Sequence, residues 1–431
     1  MNILVVGSGG REHAICHAFA KSTRVSKLFC APGNAGIAAI AECVPLGADD
    51  IEALSAFAAD NLIDLTFVGG ESPLALGIVD LFESRGLRII GASKKAAELE
   101  ASKAFAKDFM KRHGVPTAEY AVAGSAAEAV SILESSKFGV PDSPVVVKAD
   151  GLAAGKGVVV AANRAEAVAA IDDLEEIAGK EAAARIVLEE CLTGREVSLL
   201  MFADGENFAL MPPTRDHKRL NEGDTGPNTG GMGTITDASL LSGDQLARIT
   251  EMIIRPTLQG CIAEGFPFRG VLFLGLMITR QGPKLLEYNV RFGDPETQSI
   301  LVRLETDLVG ICEAMLEGKL DQGHIEWKSG NSATVILAAA GYPQNPRKGD
   351  VVEGLQRAAS VPGVTIFHAG TALDGGRLIT SGGRVLGITA AGDTLESALK
   401  QVYSAVKLVS WDGMQFRSDI GKGMTSTKRS D

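Results

Sequence analysis

Three polar side chains in the segment Leu285-Leu286-Glu287-Tyr288-Asn289-Val290-Arg291 could do chemistry together. Alternate residues of a β-strand share a face. Glu287, Asn289 and Arg291 are therefore expected to point one way, and Leu286, Tyr288 and Val290 the other. A carboxylate, an amide oxygen and a guanidinium on one face suit a divalent cation held together with phosphate. Mg²⁺ takes one or two protein oxygens and completes its shell with phosphate oxygens and water, and Arg grips phosphate or carboxylate bidentately. A solvated strand face would carry the same stripe. The residues that follow, Phe292-Gly293-Asp294-Pro295-Glu296-Thr297-Gln298, weigh against that alternative, because they pack two acids, turn residues and a helix start into one short run.

A second candidate is Asp150-Gly151-Leu152-Ala153-Ala154-Gly155-Lys156-Gly157. It looks like a P-loop, but it is short by one residue, and Gly157 stands where Ser or Thr would hold Mg²⁺. It also joins two apolar runs, 145–148 and 158–161, which predicts strand–turn–strand rather than strand–turn–helix. That makes it a flap over a nucleotide, in the manner of the kinase Gly-rich loop, with Lys148 at the strand end facing phosphate oxygens. A plain hairpin with a surface lysine is the alternative. A third candidate, Gly7-Ser8-Gly9-Gly10, follows a buried strand and opens a helix, and Arg11 could add a charge-assisted contact to a phosphate. Glu12 occupies the third Gly position of the dinucleotide fingerprint, and the second strand ends in Cys30-Ala31-Pro32 without an acid, so NAD and FAD are disfavoured. Phosphate binding and a purely structural turn both remain. Finally, residues 212–234 read as one long polar loop carrying Asp216, His217, Lys218 and Arg219. A loop of that length is functional or disordered.

These candidates need elements to position them. Short apolar runs at 2–6, 27–30, 64–68 and 88–90 alternate with helical stretches, which predicts a doubly wound parallel sheet with ligand loops at its carboxyl ends. A helix is expected over 94–113. An α+β pattern follows, with strands near 145–148, 158–161, 185–188, 197–202, 208–211, 271–279 and 284–290 and helices near 163–180 and 243–264. Residues 331–423 read as a separate small α+β unit with strands near 332–340 and 384–390 and a helix near 393–408.

The 431 residues carry a formal net charge of -11, which argues against nucleic acid and anionic membrane as partners. Fifty glycines imply many tight turns and backbone-lined loops. The six cysteines form no Cys-x-x-Cys pair and read as reduced thiols. The chain enters its first strand without a basic leader, and no apolar run approaches the ~20 residues of a membrane span. A cytoplasmic protein is expected.

In order along the chain, the stretches quoted above, with Ala31-Pro32-Gly33-Asn34-Ala35-Gly36, Asp216-His217-Lys218-Arg219 and Asp224-Thr225-Gly226-Pro227-Asn228-Thr229-Gly230-Gly231-Met232-Gly233, resemble the ATP-grasp superfamily. Within it they are similar to the phosphoribosylamine–glycine ligase (glycinamide ribonucleotide synthetase) family, over nearly the whole chain. The resemblance implies an N-terminal α/β domain (1–102), an ATP-grasp domain (103–325) with a lid at about 120–190, and a C-terminal α+β domain (326–423) ending in a frayed tail (424–431). It also implies ligation of glycine to 5-phosphoribosylamine through glycyl phosphate, with ATP and Mg²⁺ or Mn²⁺, in purine biosynthesis by a monomer or weak homodimer.

The resemblance assigns residues as well. Lys103 and Lys148 would meet ATP phosphates under the loop that contains Gly155, Lys156 and Gly157. Glu189, Glu190 and Leu192 would form the adenine hinge, and Glu196 would hold the ribose. Glu287 and Asn289 would bind metal. Arg291 and Asp294 would orient glycine and, with Lys148, serve the transferring phosphoryl group. Asp216 and Lys218 would shape the acceptor site, and Gly9, Gly10, Arg11 and Glu71 would face the sugar phosphate. Two departures stand out: Gly69-Gly70-Glu71 replaces the family's Gly-Pro-Glu, and Cys191 replaces a frequent Phe. A ligase with another carboxylate or acceptor, and a non-catalytic nucleotide-binding regulator, are the alternatives. Retention of Lys148, Glu287, Asn289 and Arg291 argues against the regulator.

Overall fold

Ile3, Leu4, Val5 and Val6 have no solvent exposure, because a parallel strand covered on both faces can be apolar throughout. They lie in the central strand, Asn2–Gly7, of a five-stranded parallel sheet in the computed structural model, which describes residues 1–135, 138, 141–152, 157–180 and 182–423. The strand order is Glu42–Cys43, Lys27–Pro32, Asn2–Gly7, Leu65–Val68, Ile89–Ile90. The order reverses at Asn2–Gly7, so the loops after Gly7 and Val68 flank the crevice where such sheets take ligands.

Four antiparallel strands form a second unit, in the order Tyr120–Ala123, Ile186–Glu190, Val145–Ala149, Val158–Ala161, with a core of its own around Leu133, Val147, Ile171 and Leu188. The two expected strands are present and pair antiparallel, with Lys148 opposite Val158. Gly155 and Lys156 lie outside the described residues, as does the tail 424–431. Gly157 closes the hairpin: its carbonyl accepts from Ala149 N at 2.8 Å.

The largest sheet has nine strands. Its path runs Gly282–Asn289, Arg269–Thr279, Arg195–Asp204, Thr214–Asp216, Gly233–Thr236, Asn331–Ala338, Arg384–Gly392, Val364–His368, with Phe208–Leu210 beside Arg195–Asp204. Two expectations are corrected here. Residues 212–234 are not one long loop. They contain the strand Thr214–Asp216 and the hairpin Arg219–Asn221/Thr225–Asn228, and lead into Gly233–Thr236. These strands are only three or four residues long and rich in Gly, Pro and charge, so no local periodicity announced them. The unit 331–423 is not detached either. Ser332–Val335 pair with Thr236–Gly233 and continue the same sheet, although helix Leu395–Val406 and Leu337, Ile388 and Val402 give this part its own core.

Two smaller corrections bear on the site. The helix expected over 94–113 breaks at Ser102 into Lys94–Ala101 and Lys103–Arg112, with the Ser102 hydroxyl capping the second helix. The strand Gly282–Asn289 bulges at Leu286: Gly275 faces Glu287 while Leu276 faces Leu285. Leu285, Tyr288 and Val290 are therefore the buried ones, rather than Leu286. The helix near 243–264 is present as Gly243–Ile249 and Arg255–Ala263, joined by the π-turn Thr250–Ile254. Pro256, which lacks an amide donor, explains the irregular turn just before it. No helix among the described residues is long and apolar enough to cross a membrane.

Phe292 ties the first sheet to the largest: it stacks on Phe67 at 5.9 Å and meets Phe202 edge-on at 6.0 Å. Truncation of this buried ring in Phe292→Ala is expected to cost about 3–5 kcal/mol by urea denaturation. A loss below about 1 kcal/mol would show that the two sheets do not depend on this contact.

Candidate functional site

The break at Ser102 starts a new helix against the Gly-rich loop. Asp150 accepts from Ala104 N (2.7 Å), Ser102 Oγ (3.0 Å) and Arg185 Nε (2.8 Å), so the loop's first residue is pinned to the helix start. This brings Lys103 to the loop, where its ammonium donates to the Gly151 carbonyl at 3.0 Å. Lys148 is buried beside it and pairs with Glu189 at 2.8 Å. Glu189 also pairs with Lys107 at 2.9 Å, so its carboxylate is enclosed by two ammonium groups. Burial, helped by Lys148, lowers Lys107 to about 8. Glu190 accepts from Glu119 N and from Lys284 Nζ, at 3.0 and 2.9 Å. Cys191 and Leu192 lie in the connection from strand Ile186–Glu190 to Arg195–Asp204, which is where a hinge between the small unit and the large sheet belongs.

Glu287 and Asn289 are both on strand Gly282–Asn289. Burial opposes ionisation of Glu287, but Lys218, Lys148, Lys103 and Arg291 outweigh it and hold the carboxyl below its ordinary value. Among the described residues, its one ion-pair contact is Lys218, at 4.0 Å. Among the described residues, no cluster of three or more His, Cys, Asp and Glu could hold a metal by itself. An ionised, sparsely bonded carboxylate beside an amide oxygen fits a hard cation that draws its remaining ligands from phosphates and water.

Arg291 carries the site toward the first sheet. Its guanidinium meets Asn289 Oδ1 (3.2 Å), Glu71 Oε2 (3.1 Å) and Glu100 Oε1 (2.6 Å). Glu71 reaches Arg11 at 3.7 Å. Burial works against the Glu71 anion, yet Arg291 and Arg11 hold it down to about 2. Gly7 and Gly69 have no room for a side chain, because Glu12 fills the space beside them. Its carboxylate accepts from Gly9 N at 2.5 Å and Arg11 Nε at 2.6 Å. The glycine-rich turn thus encloses a carboxylate of its own, and the amide of Gly9 and the guanidinium of Arg11 are already engaged. Gly70 has an extended backbone (φ −97°, ψ 162°) that any residue adopts, so the Pro-to-Gly departure meets no conformational demand. A methyl placed on Gly9 or Gly10 would lie 3.5 or 3.7 Å from the Asp294 carboxylate. That carboxylate is held by Arg384 at 2.9 Å and Gln298 at 2.7 Å, and Arg384 also donates to the Asp294 and Gly230 carbonyls.

Lys218 Nζ stands between Glu196 (3.7 Å) and Glu287 (4.0 Å). Burial disfavours its charge, but Glu287, Glu196 and Asp216 raise it above the ordinary lysine value. Asp216 is pushed well up by burial and by Glu296. His217 is spent on structure: Nδ1 faces the Gly233 carbonyl at 3.0 Å, and Nε2 accepts from Gly421 N at 3.1 Å. Arg417, fully buried, clamps the same segment through Asp224 at 2.7 Å and the Arg219 carbonyl at 3.1 Å.

The structure therefore brings Lys103, Lys148, Lys218, Glu287, Asn289 and Arg291 into one electrostatic neighbourhood. It sets Gly9, Gly10, Arg11, Glu71 and Asp294 in an adjoining one, with Arg291 and Glu71 between the two. Glu190, Leu192 and Glu196 border the first group. Sequence reasoning missed Lys107, Glu100, Gln298 and Arg384. Lys107 lies four residues after Lys103, on the same helix face, which was a usable signal. Arg384 had none, because it arrives from a strand far along the chain.

Comparison with known proteins adds a family to this geometry. Residues 1–100, 101–297 and 332–423 match, in turn, the N domain, the ATP-grasp (A) domain and the C domain of phosphoribosylglycinamide synthetase. The chain is 47% identical over 421 residues to the phosphoribosylamine–glycine ligase of Brucella melitensis biotype 1, covering 98% of this chain and 97% of that one. It is 48% identical over 427 residues to the one of Xanthomonas axonopodis pv. citri, covering 98% and 97%. The crystal structure of phosphoribosylamine–glycine ligase from Thermotoga maritima superposes with a TM-score of 0.84 at 35% identity, covering 97% of this chain and 100% of that one. The biotin carboxylase of Campylobacter jejuni shares the fold, with a TM-score of 0.69 at 16% identity, covering 96% and 92%.

The buried imidazoles make one measurable demand. Burial lowers His217 and His368 from 6.5 to about 4, and burial with His368 and His17 lowers His13 to about 3. Between these values and 6.5 the unfolded chain binds more protons than the folded one. Their contribution is thus complete above about pH 6.5 and declines as pH falls toward 4, by up to about 1.4 kcal/mol per pH unit for each group. Denaturation curves from pH 7 to 4 should show that slope, and a flat profile between pH 6.5 and 5 would contradict it.

Proposed function

The chain belongs to the phosphoribosylglycinamide synthetase family, and from that membership we infer how its cleft carries out the family reaction. The chain ligates glycine to 5-phosphoribosylamine with consumption of ATP, yielding glycinamide ribonucleotide, ADP and phosphate in purine biosynthesis. The observation that carries the assignment to this cleft is the ionised Glu287 among Lys218, Lys148, Lys103 and Arg291, an arrangement suited to a metal–triphosphate.

ATP lies between the four-stranded unit and the large sheet, with its phosphates at Lys103 and Lys148 beneath the loop of Gly155, Lys156 and Gly157. Glu189, Glu190 and Leu192 line the adenine edge. Because the Glu189 carboxylate is bound to two lysines, its backbone rather than its side chain faces the base. Glu196 takes the ribose. Glu287 and Asn289 hold Mg²⁺ or Mn²⁺, which when bound neutralises charge on the phosphoryl oxygens.

A carboxylate resists attack by an amine until it has a leaving group, so glycine is first converted to glycyl phosphate. Arg291 and Lys148 steady the oxygens of the transferring phosphoryl group. Asp294, fixed by Arg384 and Gln298, orients glycine. Asp216 and Lys218 shape the place where the amine attacks, and Gly10, Arg11 and Glu71 border the sugar-phosphate substrate. With Arg11 already paired, its part is to hold Glu71 rather than to meet the phosphate alone. Acyl phosphates hydrolyse, so the small unit closing over the nucleotide keeps water away. The substrates are cytoplasmic metabolites, and the enzyme acts there.

Purified protein with Mg²⁺, ATP, glycine and phosphoribosylamine should release ADP, and omission of either glycine or phosphoribosylamine should stop sustained turnover. Equal ADP release with a different carboxylate, such as formate, would replace the substrate assignment. Glu287→Ala should lower kcat by about 100-fold or more while leaving the melting temperature near wild type. Unchanged kcat would remove Glu287 from the metal site.

A further inference from the structure

Lys107 is buried, and nothing above gives it a chemical task. It lies on helix Lys103–Arg112, and its ammonium touches Glu189 Oε2 (2.9 Å) and Thr117 Oγ1 (2.7 Å). Glu189 Oε1 is held in turn by Lys148 at 2.8 Å. The side chains of Lys107 and Glu189 are each 2% exposed and that of Lys148 is 8% exposed. Two cations therefore share one anion out of contact with water, and the cluster carries a surplus positive charge. Glu287 and Glu190 are also in electrostatic range of Lys107; Lys103, close to Glu287, and Lys284, 2.9 Å from Glu190, offset them.

A buried unbalanced charge is costly in a folded chain. With Lys107 absent, Glu189 and Lys148 would make a neutral pair, and the site would be cheaper to fold. Lys148 would then be neutralised by its own carboxylate and would have little left for an anionic ligand. With Lys107 present, Glu189 is divided between two partners, and the excess charge is expressed at Lys148, the partner with more exposure.

We propose that Lys107 is a positioning residue for nucleotide binding: it holds Glu189 so that Lys148 remains an uncompensated cation, and the nucleotide's phosphates complete the cluster. Lys107 itself touches no substrate. The inference rests on the reading of Lys148 as a phosphate ligand, and it goes beyond that reading by assigning the source of the charge.

The test uses the full-length protein with ADP and adenosine as probes, comparing wild type, Lys107→Met and Lys107→Arg. Lys107→Met should melt at or above the wild-type temperature without ligand. Its affinity for ADP should fall by about tenfold or more, with adenosine affinity unchanged, and the KM for ATP should rise more than kcat falls. Lys107→Arg, which keeps the charge, should restore most of the ADP affinity. A merely structural lysine gives the opposite pattern: Lys107→Met melts lower or fails to fold, and any folded fraction binds ADP as wild type does. Either result overturns the proposal. A wild-type protein that binds neither probe would instead undo the nucleotide-site reading beneath it.

Discussion

Charges cannot leave water without partners, and in this chain the requirement is met by a line of ion pairs that crosses every part of the fold. Lys107 and Lys148 share Glu189. Arg291 joins Asn289, Glu100 and Glu71, and Glu71 reaches Arg11. Arg384 closes on Asp294 beside the glycine-rich turn. Each member is tolerable only because the next is in place, so the first sheet, the small four-stranded unit, the large sheet and the C-terminal strands are held in register by the groups that would handle substrates. Removing Arg384 would leave Asp294 without its ion-pair partner, which costs more than the pair was worth; Glu189, held by two lysines, would still keep one of them.

The local irregularities of the fold follow from that line. The helix break at Ser102 delivers Lys103 and the anchor for Asp150 to the Gly-rich loop. The bulge at Leu286 buries Leu285 and Tyr288 while leaving Glu287 and Asn289 on the side facing the lysines. The C-terminal part is more than an appendage. Its Arg384 positions Asp294, and its Arg417 and Gly421 fix the hairpin and the imidazole that flank Lys218.

Much of this could be read from residue order alone. The alternation of Glu287 and Asn289 with Tyr288 and Val290, the paired strands on either side of the Gly-rich segment and the parallel sheet at the N-terminus are local patterns, and local patterns survive in sequence. Lys103, Lys148 and Glu287, which the structure brings into one electrostatic neighbourhood, were legible for the same reason. The strands between 214 and 236 were not, since they are only three or four residues long and their Gly- and Pro-rich composition looks like loop. Arg384 and Glu100 were also out of reach, because their roles exist only once distant segments meet, whereas Gln298, four residues after Asp294, offered a local signal that went unused. The engagement of Glu12 with the glycine-rich turn was half visible: Glu12 ruled out a dinucleotide fingerprint, but only the packing at Gly7 and Gly69 reveals where its carboxylate goes.

In the proposed reaction, this ionic cleft activates a carboxylate by phosphorylating it before the amine attacks. Glycine labelled with ¹⁸O in its carboxylate, turned over with ATP and phosphoribosylamine, tests it directly. One labelled oxygen is expected to move from glycine to inorganic phosphate for each product formed. Unlabelled phosphate, with product still accumulating, would contradict it.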